Sequence, residues 1–467
     1  MINSKPFHLI TKEIHNYTLS HILFILLTFL CTSSLCLHAE ESRVFSFSNL
    51  NLKSGLSQLS VLDICQDSKG YIWFATRNGL NKYDGAKFTV YKHDDNNPQS
   101  LSDSHITVLL PDTKNEGLWV GTTNGLNYLD LKTNQITSYQ QEDYPDMAGN
   151  NIASLCFNRS GHLWIGTRTG LSVWLPESRT FKKLLLDGKL KQEPVTALYT
   201  DTSGQLYIGT HTQGLLVCNP QLKLIRHLSK QSTPALSDNA ISRIFEDSRR
   251  QLWIGTETKG LNKWNPKTQT LSTFSQKNSG LTDDYIRCLK EQNQKLIIGT
   301  FDGLSILSLD NDSISKYDKS GAYNNSLSHF SVRSLYIDSE ETLWVGTYSG
   351  GVNYYNPLNN RFTFYHPFSN NDQKLYNIFG TMVYASQSLW IATEGGGLLQ
   401  FNPVTKEYTN YLLETSPVGM YNRNIIKAIM LEGDYLWCGT NNGGVYKFHI
   451  PTKRFSLVHQ FDPKDTL

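Results

Sequence analysis

Residue types suited to acid–base chemistry are sparse in this chain. Two adjacent carboxylate pairs, Asp94-Asp95 and Asp283-Asp284, are the nearest match to a general acid and base. Both fall in polar stretches rich in turn formers, where a solvated turn is the simpler reading. No His-Glu-x-x-His, Gly-x-Ser-x-Gly, phosphate loop or dinucleotide fingerprint occurs. The seven cysteines show no CxxC pair and no spacing that points to a zinc site or a disulfide framework. Cys31 and Cys36 lie in an apolar leader, and the other five are spread out, so buried free thiols are expected.

What remains is a set of polar and aromatic residues that recur at fixed places. One group follows a repeated strand phrase: Arg77, Asn78, Asn124, Arg168, His211, Glu257, Lys259, Asp302 and Tyr348. The second precedes the next strand: Gln58, His105, Asn150, Asn239, Tyr285, His329 and Phe330. Charged and amide groups can hydrogen-bond the polar groups of a ligand, and aromatic rings can stack on its flatter faces. This is the chemistry of binding, with no cofactor and no metal implied. Any one of these residues taken alone reads as an ordinary exposed loop position. Converging on one mouth, they make a candidate site, because ligands favour concave openings.

The phrase that positions them is Leu252-Trp-Ile-Gly-Thr256, followed by Gly260-Leu261. Close copies stand at Trp119, Trp164 and Trp344, and looser ones at Trp73, Tyr207, Ile297, Trp390 and Trp437. The steps between successive copies are 46, 45, 43, 46, 44, 47, 46 and 47 residues. A fixed period in the forties with strand-like content indicates a propeller, one sheet per repeat. One repeat contains four short strands: Ile241 to Phe245, Leu252 to Thr256, Leu261 to Trp264 and Thr270 to Ser275. Asp, Asn, Gly and Pro stand where the chain reverses. The second strands are apolar on both faces, as a sheet packed between two neighbours requires. The tryptophans therefore read as packing residues, and the glycines as gaps that admit a neighbour's side chain.

Closure sets the blade count. Arg43-Val-Phe-Ser-Phe-Ser-Asn-Leu50 reads as a fourth strand with no first three before it. A lone outer strand of this kind completes the last blade of a ring and hides its edge. The fold class is all-β: a seven-bladed propeller of four-stranded blades over residues 43–358, then the first blades of a second, incomplete propeller over 359–467. Arg361-Phe-Thr-Phe-Tyr-His366 repeats the N-terminal pattern and opens the second ring.

Residues 1–39 follow a different logic. Lys5 and Lys12 precede an apolar run from Leu19 to Leu37, and Ala39 offers a small residue at a cleavage point. This reads as a secretory signal or, if uncleaved, an N-terminal membrane anchor. Either exports the rest to the periplasm. The formal charge of +2 gives no case for nucleic acid.

The repeats, with the linking phrases Leu101-Ser-Asp-Ser-His-Ile106, Leu236-Ser-Asp-Asn-Ala-Ile241 and Asp67-Ser-Lys-Gly70, resemble two-component regulator propeller repeats. The resemblance covers nearly everything after the leader. It implies the exported sensor region of a hybrid two-component regulator of polysaccharide utilisation, with an oligosaccharide or related glycan as ligand. It also implies two propellers, an immunoglobulin-like domain and a membrane helix ahead of kinase, receiver and DNA-binding parts, and a homodimer in the full architecture. Most of the second propeller and all phosphotransfer motifs lie outside this sequence. Two other functions fit the fold: a propeller enzyme, similar to streptogramin lyases or quinone-dependent dehydrogenases, and a protein-interaction scaffold.

Overall fold

Leu252–Thr256 is the second strand of a four-stranded antiparallel sheet, between Ile241–Glu246 and Leu261–Asn265, with Thr270–Phe274 outermost. All five of its residues are buried, so both faces of the strand are covered. Nine such sheets occur in the computed structural model, which describes residues 45, 47–317, 326–357, 378–413, 424–441 and 443–460. The leader, Arg43, Val44, Ser46 and the Arg361–His366 stretch lie outside the described residues. Among those described, no helix is long and apolar enough to cross a membrane.

The chain divides into two compact units, Met1–Asn360 and Arg361–Leu467. Seven sheets belong to the first, numbered here as blades 1 to 7. Their second strands are Ile72–Thr76, Gly117–Thr122, Leu163–Thr167, Leu206–Thr210, Leu252–Thr256, Lys295–Thr300 and Leu343–Thr347. The first strand of each blade neighbours that of the next, and the first strand of blade 7, Val332–Ile337, neighbours that of blade 1, Val61–Gln66. The sheets of the first unit thus close into a ring. The closing strand is Ser48–Leu50, shorter than the sequence implied, and it pairs with Val352–Tyr355 as the fourth strand of blade 7. Phe45 and Phe47 extend the contact by packing on Tyr355 and Tyr317, and the Tyr317 hydroxyl donates to the Phe45 carbonyl at 2.7 Å.

In six of the seven blades the glycine of the second strand seats the neighbouring blade; blade 1 has Ala75 in its place. A β-carbon on Gly255 would lie 2.7 Å from Ile286 Cγ2, the first residue of the next blade's first strand. The same approach joins Gly121 to Ile152, Gly209 to Ile241 and Gly299 to Val332, each at 2.7 Å. Gly346 of blade 7 takes Val61 of blade 1 at 2.8 Å, so the seam uses the same joint.

Three polar motifs fix the rest of each repeat. The threonine ending every second strand donates its hydroxyl to the carbonyl of the glycine that opens the third, at 2.7–3.1 Å in all nine sheets. In Asp67-Ser-Lys-Gly70, Asp67 Oδ1 accepts the Lys69 and Tyr71 N–H groups, while Oδ2 accepts the Trp73 indole N–H at 2.8 Å. Trp253 with Asp247 and Trp344 with Asp338 repeat that bond. In the Leu-Ser-Asp phrases, the serine N–H is accepted by a buried third-strand asparagine, Ser102 by Asn127 and Ser237 by Asn262. Cys65, Cys218, Cys288 and Cys438 are buried free thiols, and Cys156 is half-buried.

Two features escape the sequence reading. A one-turn helix, Gln276–Ser279, capped by Ser275, occupies a stretch read as loop. Each first strand of the ring also carries a bulge at its second residue. The second unit contains two sheets, beginning at Phe379–Ala385 and Ile426–Glu432.

Gly255→Ala should cost about 1–3 kcal/mol, the range for overpacking a filled core. Gly439→Ala, whose new β-carbon meets only the Ala428 carbonyl oxygen at 3.9 Å, should stay within about 0.5 kcal/mol. Denaturant midpoints of the two variants check this, and equal losses would contradict the seating role. Trp253, fully buried, should lose about 3–5 kcal/mol on replacement by alanine. A Trp253→Ala protein of unchanged stability that failed only in ligand binding would contradict its reading as a packing residue.

Candidate functional site

Two sets of loops are tied together blade by blade. In blades 2 to 7 the first residue after the strand-ending threonine donates its N–H to the carbonyl just before that blade's first strand. The pairs are Thr123 to His105, Arg168 to Asn151, His211 to Pro194, Glu257 to Ala240, Phe301 to Tyr285 and Tyr348 to Ser331, at 2.9–3.2 Å. The loops joining second to third strands therefore stand beside the inter-blade loops on one face of the ring.

The bulge adds a further position to that face. An extra residue in one strand leaves the ladder and is re-aimed, a device common next to sites. Its occupants are Leu62, Thr107, Ala153, Thr196, Ser242, Arg287 and Arg333 in blades 1 to 7. Thr107 and Thr196 use their hydroxyls to bond the next blade, at the Ile152 and Ile241 carbonyls. Arg287 and Arg333 break the small or apolar pattern.

These two arginines meet the loop aromatics. Arg287 Cζ lies 4.8 Å from the Tyr285 ring centroid and 4.6 Å from that of Phe301. Arg333 and Arg77 both lie on Tyr348, at 5.3 and 5.0 Å. His329 stacks on Phe330 at 4.3 Å and sits 6.3 Å from Tyr348. Blades 6, 7 and 1 thus build a continuous patch of guanidiniums and rings. Its rings remain open to solvent: Phe301 is 48% exposed, Tyr348 40% and Phe330 39%.

The electrostatics are one-sided. Among the described residues no carboxylate forms an ion pair with Arg77, Arg287 or Arg333. Burial, with Arg287 and Arg77 nearby, pushes Arg333 down to about 10, so it stays cationic at neutral pH. Burial also lowers Arg287, with a smaller opposing pull from Tyr285 and Asp283. His105 is held below the usual imidazole value by burial and then by the charge of Arg77. The Nε–H groups of both bulge arginines are buried without an acceptor among the described residues. On the same first strands, Asp63 is raised by burial, partly offset by hydrogen bonds from the Leu109 and Ile64 N–H groups and by Arg243 and Lys290.

Of the residues expected from sequence, the structure brings together Arg77, His105, Tyr285, His329, Phe330 and Tyr348. Arg287, Arg333 and Phe301 complete the patch and were missed; the visible signal was two arginines at a strand position otherwise small or apolar. On the far side of the ring, His211 Nδ1 lies 3.7 Å from Glu257 Oε1. Asn78, Asn124, Lys259 and Asp302 donate backbone N–H groups to the threonine hydroxyls of their own turns. Asp302 also lines a small cleft with Thr282, Lys316 and Phe330. Arg168 is exposed and joins no other candidate, while the side-chain oxygens of Asn150, Asn239 and Gln58 accept N–H groups of their own loops.

Residues 55–78 and 235–258 match the family model described as the two-component regulator propeller. In solved structures the chain is similar to the extracellular domain of a putative hybrid two-component system from B. thetaiotaomicron. That likeness has a TM-score of 0.67 at 23% identity, covering 90% of this chain and 61% of that one. The fold is also similar to virginiamycin B lyase from Staphylococcus aureus, with TM-score 0.52 at 12% identity over 66% of this chain and 98% of the lyase. A curated relative, histidine kinase P4 of Formosa agariphila, is 44% identical over 78 residues, which are 17% of this chain and 5% of the kinase. The chain thus spans only part of the two-component proteins it matches.

Breaking a buried ion pair lowers stability, but Arg333 forms none among the described residues. Arg333→Met should instead leave the melting temperature of the ring unchanged or raise it, by up to about 1 kcal/mol of stability. Thermal denaturation checks this, and a loss of several degrees would make Arg333 a structural residue.

Proposed function

We propose that this chain, built from two-component regulator propeller repeats, is the exported sensor part of a hybrid two-component regulator. Its first ring binds an oligosaccharide or related glycan at the mouth formed by blades 6, 7 and 1, without turning it over. The observation that carries this reading is the patch of solvent-open rings and unpaired guanidiniums, which is costly for folding and suited to a ligand. Residues 1–39 supply export to the periplasm, and membrane association arises only through that segment if it stays uncleaved. No nucleic acid is a partner of these repeats.

Signalling follows from linkage. A ligand shifts a regulator between two arrangements only by its differential affinity for them. The kinase acted upon belongs to sequence other than these repeats, and a homodimer of the whole regulator would let two sensor parts report together. A second reading, a propeller enzyme, draws on the contact between His211 and Glu257. At 3.7 Å that contact is longer than a hydrogen bond and does not hold an imidazole in a fixed orientation.

Calorimetry of the purified exported region against oligosaccharides, with chromatography of the same mixtures, tests the proposal. Saturable binding with the sugar recovered intact is expected. Product formation would replace the sensor reading with the enzyme reading, and failure to bind any glycan would remove it.

A further inference from the structure

We propose that Arg77, Arg287 and Arg333 form an anion subsite, so that the glycan taken at this mouth carries a carboxylate or sulfate group on a sugar ring. This inference rests on the sensor reading above and adds the chemical class of the ligand.

Neutral sugars need hydroxyl partners and an aromatic platform; they do not need three cations gathered with no ion-paired carboxylate among the described residues. Arg77 and Arg333 share the Tyr348 ring, and Arg287 lies against Tyr285 and Phe301. Ser331 Oγ accepts one Nη1–H of Arg287, but Arg77 and Arg333 donate no side-chain hydrogen bond to any described residue. Arg287 is 93% buried by its relative exposure of 7%, and its Nε–H, like that of Arg333, has no acceptor among the described residues. A buried donor left unsatisfied carries its full desolvation cost, so such a group calls for a partner.

The acids nearby are already engaged. Asp283 accepts the Tyr285 N–H at 2.7 Å. Asp103 accepts the His105 N–H and the Thr123 hydroxyl. The second unit supplies a contrast at the same bulge position: Lys427 is neutralised by Glu394, the residue following the strand-ending Thr393. Glu394 belongs to the blade preceding that of Lys427, and the residues in that place for Arg287 and Arg333 are Glu257 and Phe301. Glu257 lies against His211 and forms no ion pair with Arg287 among the described residues, and Phe301 carries no charge and offers a face for a sugar. A guanidinium presents its N–H groups in a planar fork that matches a carboxylate or sulfate, and it stacks on rings without giving up that fork.

The test is a glycan array with uronate-bearing, sulfate-bearing and neutral oligosaccharides, followed by calorimetry of the hits on the intact chain and on Arg77→Gln and Arg333→Gln. Arg77 is exposed, so its variant should fold even if a bulge variant does not. Hits among acidic glycans are expected, weakened about tenfold or more in each variant and weakened again by salt. Uronate hits alone identify the anion as carboxylate, and sulfate hits alone identify it as sulfate. Hits confined to neutral glycans would overturn the anion subsite while leaving the sensor reading in place. Acidic hits indifferent to both substitutions would overturn the assignment to these arginines. No glycan hit at all would remove the subsite and the sensor reading together.

Discussion

The ring depends on one repeated joint: a β-branched side chain opening each first strand, seated at six of the seven junctions on the bare backbone of the preceding blade's glycine, with Ala75 in that place at the seventh. Ile286 on Gly255 and Val61 on Gly346 are the same contact, one within the ring and one across its seam. Burying Ile or Val against a neighbour contributes about 1.5–3 kcal/mol each. The joint also sets how closely adjacent sheets approach, and a single added methyl group is felt at that distance. Radial packing buries both faces of every second strand, and Ser48–Leu50 covers the outer edge of blade 7 that closure would otherwise leave open.

With stability lodged in that joint and in the polar motifs beside it, the loops of one face are freed from packing duties. The threonine-to-glycine bond holds each turn in place whatever residue follows, which is why arginine, histidine, glutamate, phenylalanine and tyrosine all occupy the next position. The bulge does the same for the first strand. Thr107 and Thr196 spend that position on bonds to the next blade's backbone, whereas Arg287 reaches only the Ser331 hydroxyl there, Arg333 makes no such bond, and both face rings. Local rules are broken there without compensation inside the protein, the usual mark of a binding surface.

The fold was legible because each repeat states it again. The Trp-Ile-Gly-Thr phrase marks the second strand, Asp-Ser-x-Gly the first turn and Leu-Ser-Asp the crossing to the next blade. The structure gives each phrase a bond: indole to Asp247, strand-ending hydroxyl to glycine carbonyl, and serine N–H to Asn262. The site was only half legible. Loop residues such as Arg77, Tyr285 and Tyr348 follow from their distance to the repeat phrase. Arg287 and Arg333 sit inside strands, where period-two alternation assigns a face, and the bulge that alters their placement leaves no mark in alternation. Asn150 and Asn239 show the opposite failing: they hold the right place, but their side-chain oxygens serve their own loops.

The central claim is that the mouth formed by blades 6, 7 and 1 holds the ligand. A crystal structure of the chain soaked with an acidic oligosaccharide tests it most directly. The account predicts a sugar ring against Tyr348 or Phe301, with its anionic group within about 3 Å of the Arg77, Arg287 or Arg333 nitrogens. A glycan bound on the opposite face of the ring, or on the second unit with these arginines untouched, would contradict it.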